Sequence, residues 1–268
     1  MRDADQDHNH HLALVTGATG AIGKAIALEI ALRPGYRVVL LCRDGHRADK
    51  VVSEVVKLSG NEQVSHEIVD LSSKDSIQAL AQRLKEPVHV LVNNAAATPR
   101  RRRETPTGIE LQFATNVLGY FWLTQTFSDQ LRAGSPSRVV NVASYWAGDL
   151  DLDDLEFRRR PYNNNTAYRQ SKQANRMLTV AFAERFREHG VTVNACHPGD
   201  VNSRLSNNLG FGGHETSRQG ARTPAWLATE AIGQRETGKY FEDMQMRRCR
   251  FGEDSEAVNA LYEACMAY

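Results

Sequence analysis

The feature that most constrains this chain lies near its start. An apolar run, "LALVT" (12–16), passes without a break into "GATGAIGKAIALEIALR", whose apolar residues recur at helical spacing. A strand that feeds a helix through a glycine-rich turn must lay that helix back on its own sheet, and the next strand then runs parallel. The same sentence is repeated along the chain. "YRVVLLC", "VSHEIVD", "VHVLVNNA", "SRVVNVAS" and "VTVNACHP" read as strands, and 46–59, 74–85, 108–132 and 166–189 read as the helices between them. Strands that are apolar throughout belong to a sheet covered on both faces. No linker, repeat or composition break interrupts the alternation. The expectation is one α/β domain from residue 12 to 268, a doubly wound parallel β-sheet with helices on both faces, preceded by a flexible tail at 1–11. Ligands should gather at the C-terminal ends of the strands.

Composition removes other classes. Lys and Arg number 33 against 32 Asp and Glu, so no overall field draws the chain to nucleic acid or an anionic membrane. Cys42, Cys196, Cys249 and Cys265 have no metal or disulfide spacing and fit reduced thiols inside a cell. The opening "MRDADQDHNHH" lacks the apolar run of a signal peptide, and no window is apolar enough to span a membrane. A cytoplasmic protein is expected. His8, His10 and His11 read as tail residues rather than as a metal site, and no metal is expected.

The turn "TGATGAIG" (16–23) carries glycines where a tight turn, a close approach to a pyrophosphate and helix–strand packing each need one. Gly17, Thr19, Gly20, Ala21, Ile22 and Gly23 are therefore candidates for binding a dinucleotide. At the end of the second strand, an acid would bind both ribose hydroxyls and repel a 2′-phosphate. Cys42 stands there instead, followed by Arg43, with Arg47 four residues on. Guanidinium groups suit a phosphate monoester, which favours NADP(H) over NAD(H), although Asp44 offers Arg43 a rival partner. In "TAYRQSKQAN" (166–175), Tyr168 and Lys172 share one helix face. A phenol is a poor acid–base group at neutral pH until a nearby cation lowers its pKa, and Lys172 is placed to do so.

The glycine turn aligned on G-x-x-x-G-x-G, "NNAA" (93–96), "NVLG" (116–119), "VVNVAS" (139–144), "YRQSK" (168–172) and "HPGDVNS" (197–203) stand in an order that resembles the short-chain dehydrogenase/reductase family. The likeness runs from about Leu12 to past Tyr240. It implies a Rossmann-type fold and hydride transfer between a nicotinamide and a carbonyl or alcohol. It also implies a set of roles. Tyr168 would be the proton donor, Ser144 the group that holds the substrate oxygen, and Lys172 the tuner of Tyr168 and binder of the nicotinamide ribose. Asn116 would anchor a water that relays protons from Lys172. Asp70 and Leu71 would meet the adenine, with Asn94, Ala95 and Ala96 beside the cofactor and Pro198, Gly199, Val201 and Ser203 around the nicotinamide. Ala96 replaces the last glycine of the family's N-N-A-G.

"LLCRD", the long insertion 148–175 and "GKYFED" resemble the retinol dehydrogenase subgroup. The N-terminal membrane anchor common there is not seen, which speaks against a retinoid as the physiological substrate. A homodimer through the helices at 108–132 and 166–189 is the family's usual assembly, and Arg169, Gln173 and Arg176 are expected on the outer face of the second. Residues 200–238 have a mobile-loop composition and should close over a small-molecule substrate, with Phe211 and Trp226 as candidate pocket walls. The arginine runs at 100–103 and 158–160 read as solvated loop charge, the sharper alternative being that Arg100–Arg103 select an anionic substrate. The reading is an NADP(H)-dependent carbonyl reductase or alcohol dehydrogenase; its rival is a non-catalytic NADP(H) sensor on the same fold.

Overall fold

Along each central strand, successive side chains enter opposite cores, as apolar runs covered on both faces require. Leu12, Leu14, Val39, Leu41, Leu91, Val139 and Val193 face one core. Ala13, Val15, Val38, Leu40, Val90, Val92, Val140 and Val142 face the other. The computed structural model describes residues 10–268. The expected tail therefore lies outside the described residues as far as residue 9, and the first strand starts at His11, one residue before the expected boundary.

The strands are β1 (His11–Thr16), β2 (Tyr36–Cys42), β3 (Val64–Ile68), β4 (Val90–Asn93), β5 (Ser137–Val142), β6 (Val191–Cys196), β7 (Tyr240–Glu242) and β8 (Gln245–Arg247). They form one sheet in the order β3-β2-β1-β4-β5-β6-β7-β8. All neighbours are parallel except β7 and β8. The chain crosses over between β3 and β4, so β1 and β4 flank the switch point where such sheets open a crevice.

The helices are α1 (Ala21–Ala31), α2 (Gly45–Ser59), α3 (Lys74–Arg83), α4 (Gly119–Thr126), α5 (Ser128–Ala133), α6 (Asn164–Arg185), α7 (Arg204–Leu209), α8 (Ser217–Thr229), α9 (Ile232–Arg235) and α10 (Ser255–Met266). The continuous helix expected at 108–132 is broken. A π-helical segment, Phe113–Leu118, leads into α4, and Phe127 leaves helical geometry before α5. Asn163 begins α6 by accepting from the amides of Asn165 and Thr166, just after Pro161.

The outward face expected on α6 is only partly open, with Arg169 and Gln173 half-buried and Arg176 buried. Arg176 is only 7% exposed. Arg169 pairs with Asp149 at 2.8 Å, and Gln173 accepts from the amide of Leu150 at 3.2 Å. The 145–160 insertion covers one flank, and α10 covers α4 and α6 on another. Tyr262 of α10 meets Phe121 and Phe182 edge-on, with ring centroids 5.0 and 5.5 Å away. No helix among the described residues is long and apolar enough to cross a membrane.

Candidate active site

The turn after β1 is built so tightly that only glycine fits at its ends. Gly17 has φ +64°, and a Cβ there would lie 2.8 Å from Ala95 Cα. A Cβ on Gly23 would come within 2.6 Å of Asn94 Nδ2. The turn departs from the aligned G-x-x-x-G-x-G spacing. Its glycines stand at 17, 20 and 23, and Ala21 takes the middle place as the first residue of α1. Gly20 supplies no side-chain cap, and among the described residues the amides of Ala21, Ile22 and Gly23 have no partner, as at a helix end that receives phosphate. Thr16, which the sequence reading passed over, fixes the turn to the loop after β4. Its hydroxyl accepts from the amides of Asn94 (2.7 Å) and Ala95 (3.0 Å), and Asn94 Nδ2 donates to its carbonyl at 2.9 Å.

At the end of β2, burial pushes the Cys42 thiol up to about 11, so no anion stands at that position. Asp44 caps α2 by accepting from the Arg47 amide at 3.1 Å rather than pairing with Arg43. Arg43 is exposed and has no hydrogen bond or ion pair among the described residues. The Arg47 guanidinium reaches the carbonyl of Thr19 at 3.3 Å, which brings it beside the glycine turn. Asp70 gives one oxygen to the hydroxyl and amide of Ser72 (2.7 and 2.9 Å), and Ser73 is the residue that caps α3. Leu71 is buried next to it.

Helix α6 carries Tyr168, Lys172 and Arg176 at four-residue spacing, hence on one face, and that face is applied to the end of β5. Lys172 Nζ donates to the carbonyl of Val142 at 2.8 Å, and Arg176 Nη2 donates to that of Ser144 at 2.5 Å. The Ser144 hydroxyl accepts from the Trp146 amide at 3.1 Å and stands beside the Tyr168 phenol, where it favours the ionised form. The expected lowering of Tyr168 by Lys172 is absent in the free protein. Burial lifts the phenol to about 12, outweighing the Ser144 hydroxyl, with Asp200 and Tyr145 adding to the rise. Burial also pulls the Lys172 ammonium down to about 7. Its Nζ sits 5.6 Å from the centre of the Tyr168 ring and 5.4 Å from that of Tyr120. Desolvation dominates because both side chains are buried.

Asn116 lies in the π-helical segment, a local widening of the helix that recurs at functional sites. Its side chain clamps Ala97 from both sides, accepting from the amide (2.7 Å) and donating to the carbonyl (3.0 Å). Its amide also reaches Ser171 and Gln112, and no bond to Lys172 is present among the described residues. The function most directly visible is to hold the Ala95–Ala97 loop.

Ser144, Tyr168 and Ile22 meet in one cleft of about 300 Å³, whose lining does not include Lys172, Asn116, Arg43, Arg47 or Asp70. Ile22 enters it from α1, Ser144 and Tyr168 form its floor, and Pro198, Gly199, Val201 and Ser203 form one wall. Ser203 also caps α7. Tyr145, Trp146 and Phe211 supply aromatic surface, with Trp146 and Phe211 edge to face at 5.7 Å. Trp226 is not in the cleft; it packs on Phe241 beneath the sheet. His197 was missed as a wall residue, and burial holds its imidazole down at about 4, hence neutral at physiological pH.

Neither arginine run lines this cleft. The amides of Arg158, Arg159 and Arg160 all donate to the buried Asp154 carboxylate, so that run organises its own loop. Arg102 pairs with Glu104 at 2.6 Å, while Arg100, Arg101 and Arg103 are exposed. No group of metal-ligating side chains is found among the described residues.

Comparison with known proteins places the geometry in context. The family model described as short chain dehydrogenase matches residues 11–211. Human retinol dehydrogenase 13 is 34% identical over 270 residues, covering 93% of this chain and 81% of the relative. A crystal structure of an uncharacterized protein from Mycobacterium paratuberculosis superposes with a TM-score of 0.80 at 26% identity, over 96% of this chain and 93% of that one. A metagenomic short-chain oxidoreductase in complex with NADP gives a TM-score of 0.66 at 27% identity, covering 87% of this chain and 96% of that one.

Proposed function

Since this chain belongs to the short chain dehydrogenase family and is an oxidoreductase acting on CH–OH or C=O groups, we propose that it is an NADP(H)-dependent carbonyl reductase or alcohol dehydrogenase. The observation that carries this reading is the convergence of Ser144, Tyr168 and the opening of α1, through Ile22, on one cleft. The residues present fit a dinucleotide. The uncapped amides of α1 suit a pyrophosphate, and Arg43 and Arg47, with neutral Cys42 in the place of an acid, suit a 2′-phosphate. Asp70 keeps one carboxylate oxygen free of Ser72 for the adenine. The NADP complex of the metagenomic relative agrees with this preference. A bound nicotinamide supplies the hydride.

The chain's own residues handle the oxygen. Ser144 holds the carbonyl oxygen against Tyr168, whose phenol, at about 12 in the free protein, is a reserved proton until a positive charge arrives beside it. Lys172, buried beside Tyr168, is the cation placed to provide that charge, and its ammonium would be stabilised by the hydroxyls of a bound ribose. Asn116 keeps the Ala95–Ala97 loop from collapsing into the cofactor crevice. A non-catalytic sensor would need no proton donor aimed at the cleft. Helix α10 packs on α4 and α6, the helices through which the family's usual dimer would form. The test supplies NADPH carrying deuterium at both C4 positions with an aromatic aldehyde: one deuterium appears at the alcohol carbon of the product. Alcohol formed without deuterium, or no alcohol with any carbonyl of a broad panel, would overturn the reading.

A further inference from the structure

A second hollow, of about 520 Å³, adjoins the cleft, and nothing in the mechanism above uses it. Tyr145 lines both, so the two share a wall. The other lining groups are Ala147, Arg176, Arg248, Arg250 and Phe251. Arg176 is the unusual member, because it is a cation only 7% exposed with no carboxylate in direct contact. Its guanidinium lies over the Tyr240 ring at 3.4 Å and donates to the Ser144 carbonyl, and its Nε has no partner. The nearest acid, Glu242, is 3.9 Å away and already accepts a 2.5 Å hydrogen bond from the Tyr240 hydroxyl. Arg248 is engaged by Glu253 through two bonds of 2.6 and 2.7 Å. Arg250 is exposed, and of the three arginines that line the hollow it alone has no acid within ion-pair distance among the described residues. Asp200, which accepts from the Tyr145 hydroxyl at 3.4 Å, stands on the cleft side of the shared wall. Buried cations are stabilised by an anion with matching hydrogen-bond geometry, and a guanidinium matches the two oxygens of a carboxylate.

We propose that this hollow is a second subsite, which takes a carboxylate at the far end of the carbonyl substrate while the carbonyl lies against Ser144 and Tyr168. The preferred substrates are then oxo acids, compounds with an aldehyde or ketone at one end and a carboxylate at the other. One unpaired arginine, with Asp200 across the shared wall, favours a carboxylate over a phosphate dianion. The placement also moves anion selection from the 100–103 run, which is outside the cleft, to arginines that adjoin it. This inference rests on the reading of Ser144 and Tyr168 as the groups that meet the substrate oxygen.

The test compares kcat/KM with NADPH for 4-carboxybenzaldehyde and its methyl ester, and for medium-chain ω-oxo carboxylates and their methyl esters. The acid is favoured over its ester by about tenfold or more, the scale of one charge-assisted contact. That ratio falls toward unity in Arg250→Ser, survives in Arg250→Lys, and shrinks with added salt. Equal rates for acid and ester, or a ratio that neither Arg250→Ser nor Arg248→Ser changes, would overturn it. A thermal-shift titration with the same acids, in the presence of NADPH, separates the two readings when no compound turns over. Stabilisation by the acid but not the ester, lost in Arg250→Ser, would uphold the subsite and count against the reductase assignment. No stabilisation by the acid would remove the subsite.

Discussion

Lys172 sets burial against chemistry within one side chain. It is 2% exposed, and desolvation takes its pKa from 10.5 to about 7. Between those values the unfolded chain holds a proton that the folded protein has lost, so this group's contribution to stability improves as pH rises through the window. At or below pH about 7 the penalty of burying the charge is felt in full. Lys172→Met should therefore raise Tm most at pH about 6–7, by roughly 2–4 °C per kcal/mol relieved, and the gain should fade toward pH about 10. Differential scanning calorimetry of both proteins across pH checks this, and a gain that ignores pH would contradict it. Arg43 gives a second residue-scale prediction. Arg43→Glu removes a free cation and adds a charge that repels a 2′-phosphate, so the NADPH/NADH ratio of kcat/KM should fall by an order of magnitude or more. Much at this scale was legible, because Tyr168 and Lys172 are fixed by their spacing. The burial of Arg176 was legible too and was missed: it stands four residues beyond Lys172, on the same face, and charge alone suggested an outward position. The pKa of Tyr168 was not legible, since desolvation depends on packing from elements distant in sequence.

At the scale of elements, α6 is organised by what covers it. Its Tyr168–Lys172–Arg176 face grips β5, and its other surface receives α10. Tyr262 there packs on Phe121 and Phe182, accepts the Arg185 guanidinium over its ring at 3.5 Å, and donates to Gln125 at 3.1 Å. Tyr262→Ala should cost about 3 kcal/mol in a denaturant titration, from lost burial and the cavity left behind. It should leave cofactor affinity intact, because Tyr262 touches no part of the cleft; a loss below about 1 kcal/mol would mean that α10 is only loosely held. The break at 113–127 had no sequence signal. No glycine or proline stands at Phe127, and the π-helical segment answers to the contacts of Asn116 with Ala97 and Ser171 rather than to local propensity. β8 escaped for a related reason: all three of its residues are exposed, so it lacks the apolar alternation by which strands are read.

Across the whole molecule, the two-faced core and the crossover at β1 and β4 account for why one chain assembles a cleft from residues as far apart as Ile22, Ser144, Tyr168 and Ser203. That architecture followed from alternation alone, because apolar strands joined by helices leave few other topologies. The hollow beyond Tyr145 did not follow, since it joins α6 to a C-terminal stretch that carries no motif. The account stands on Tyr168 as the proton donor to a substrate oxygen, beside its expected place among the cofactor-binding residues. The most direct measurement is single-turnover oxidation of bound NADPH by an aldehyde in wild type and Tyr168→Phe, with NADPH affinity measured alongside. The account predicts a rate reduced by about 10²–10⁴ with affinity changed little, the span expected when a general acid is removed. A Tyr168→Phe protein that turns over at the wild-type rate would contradict it.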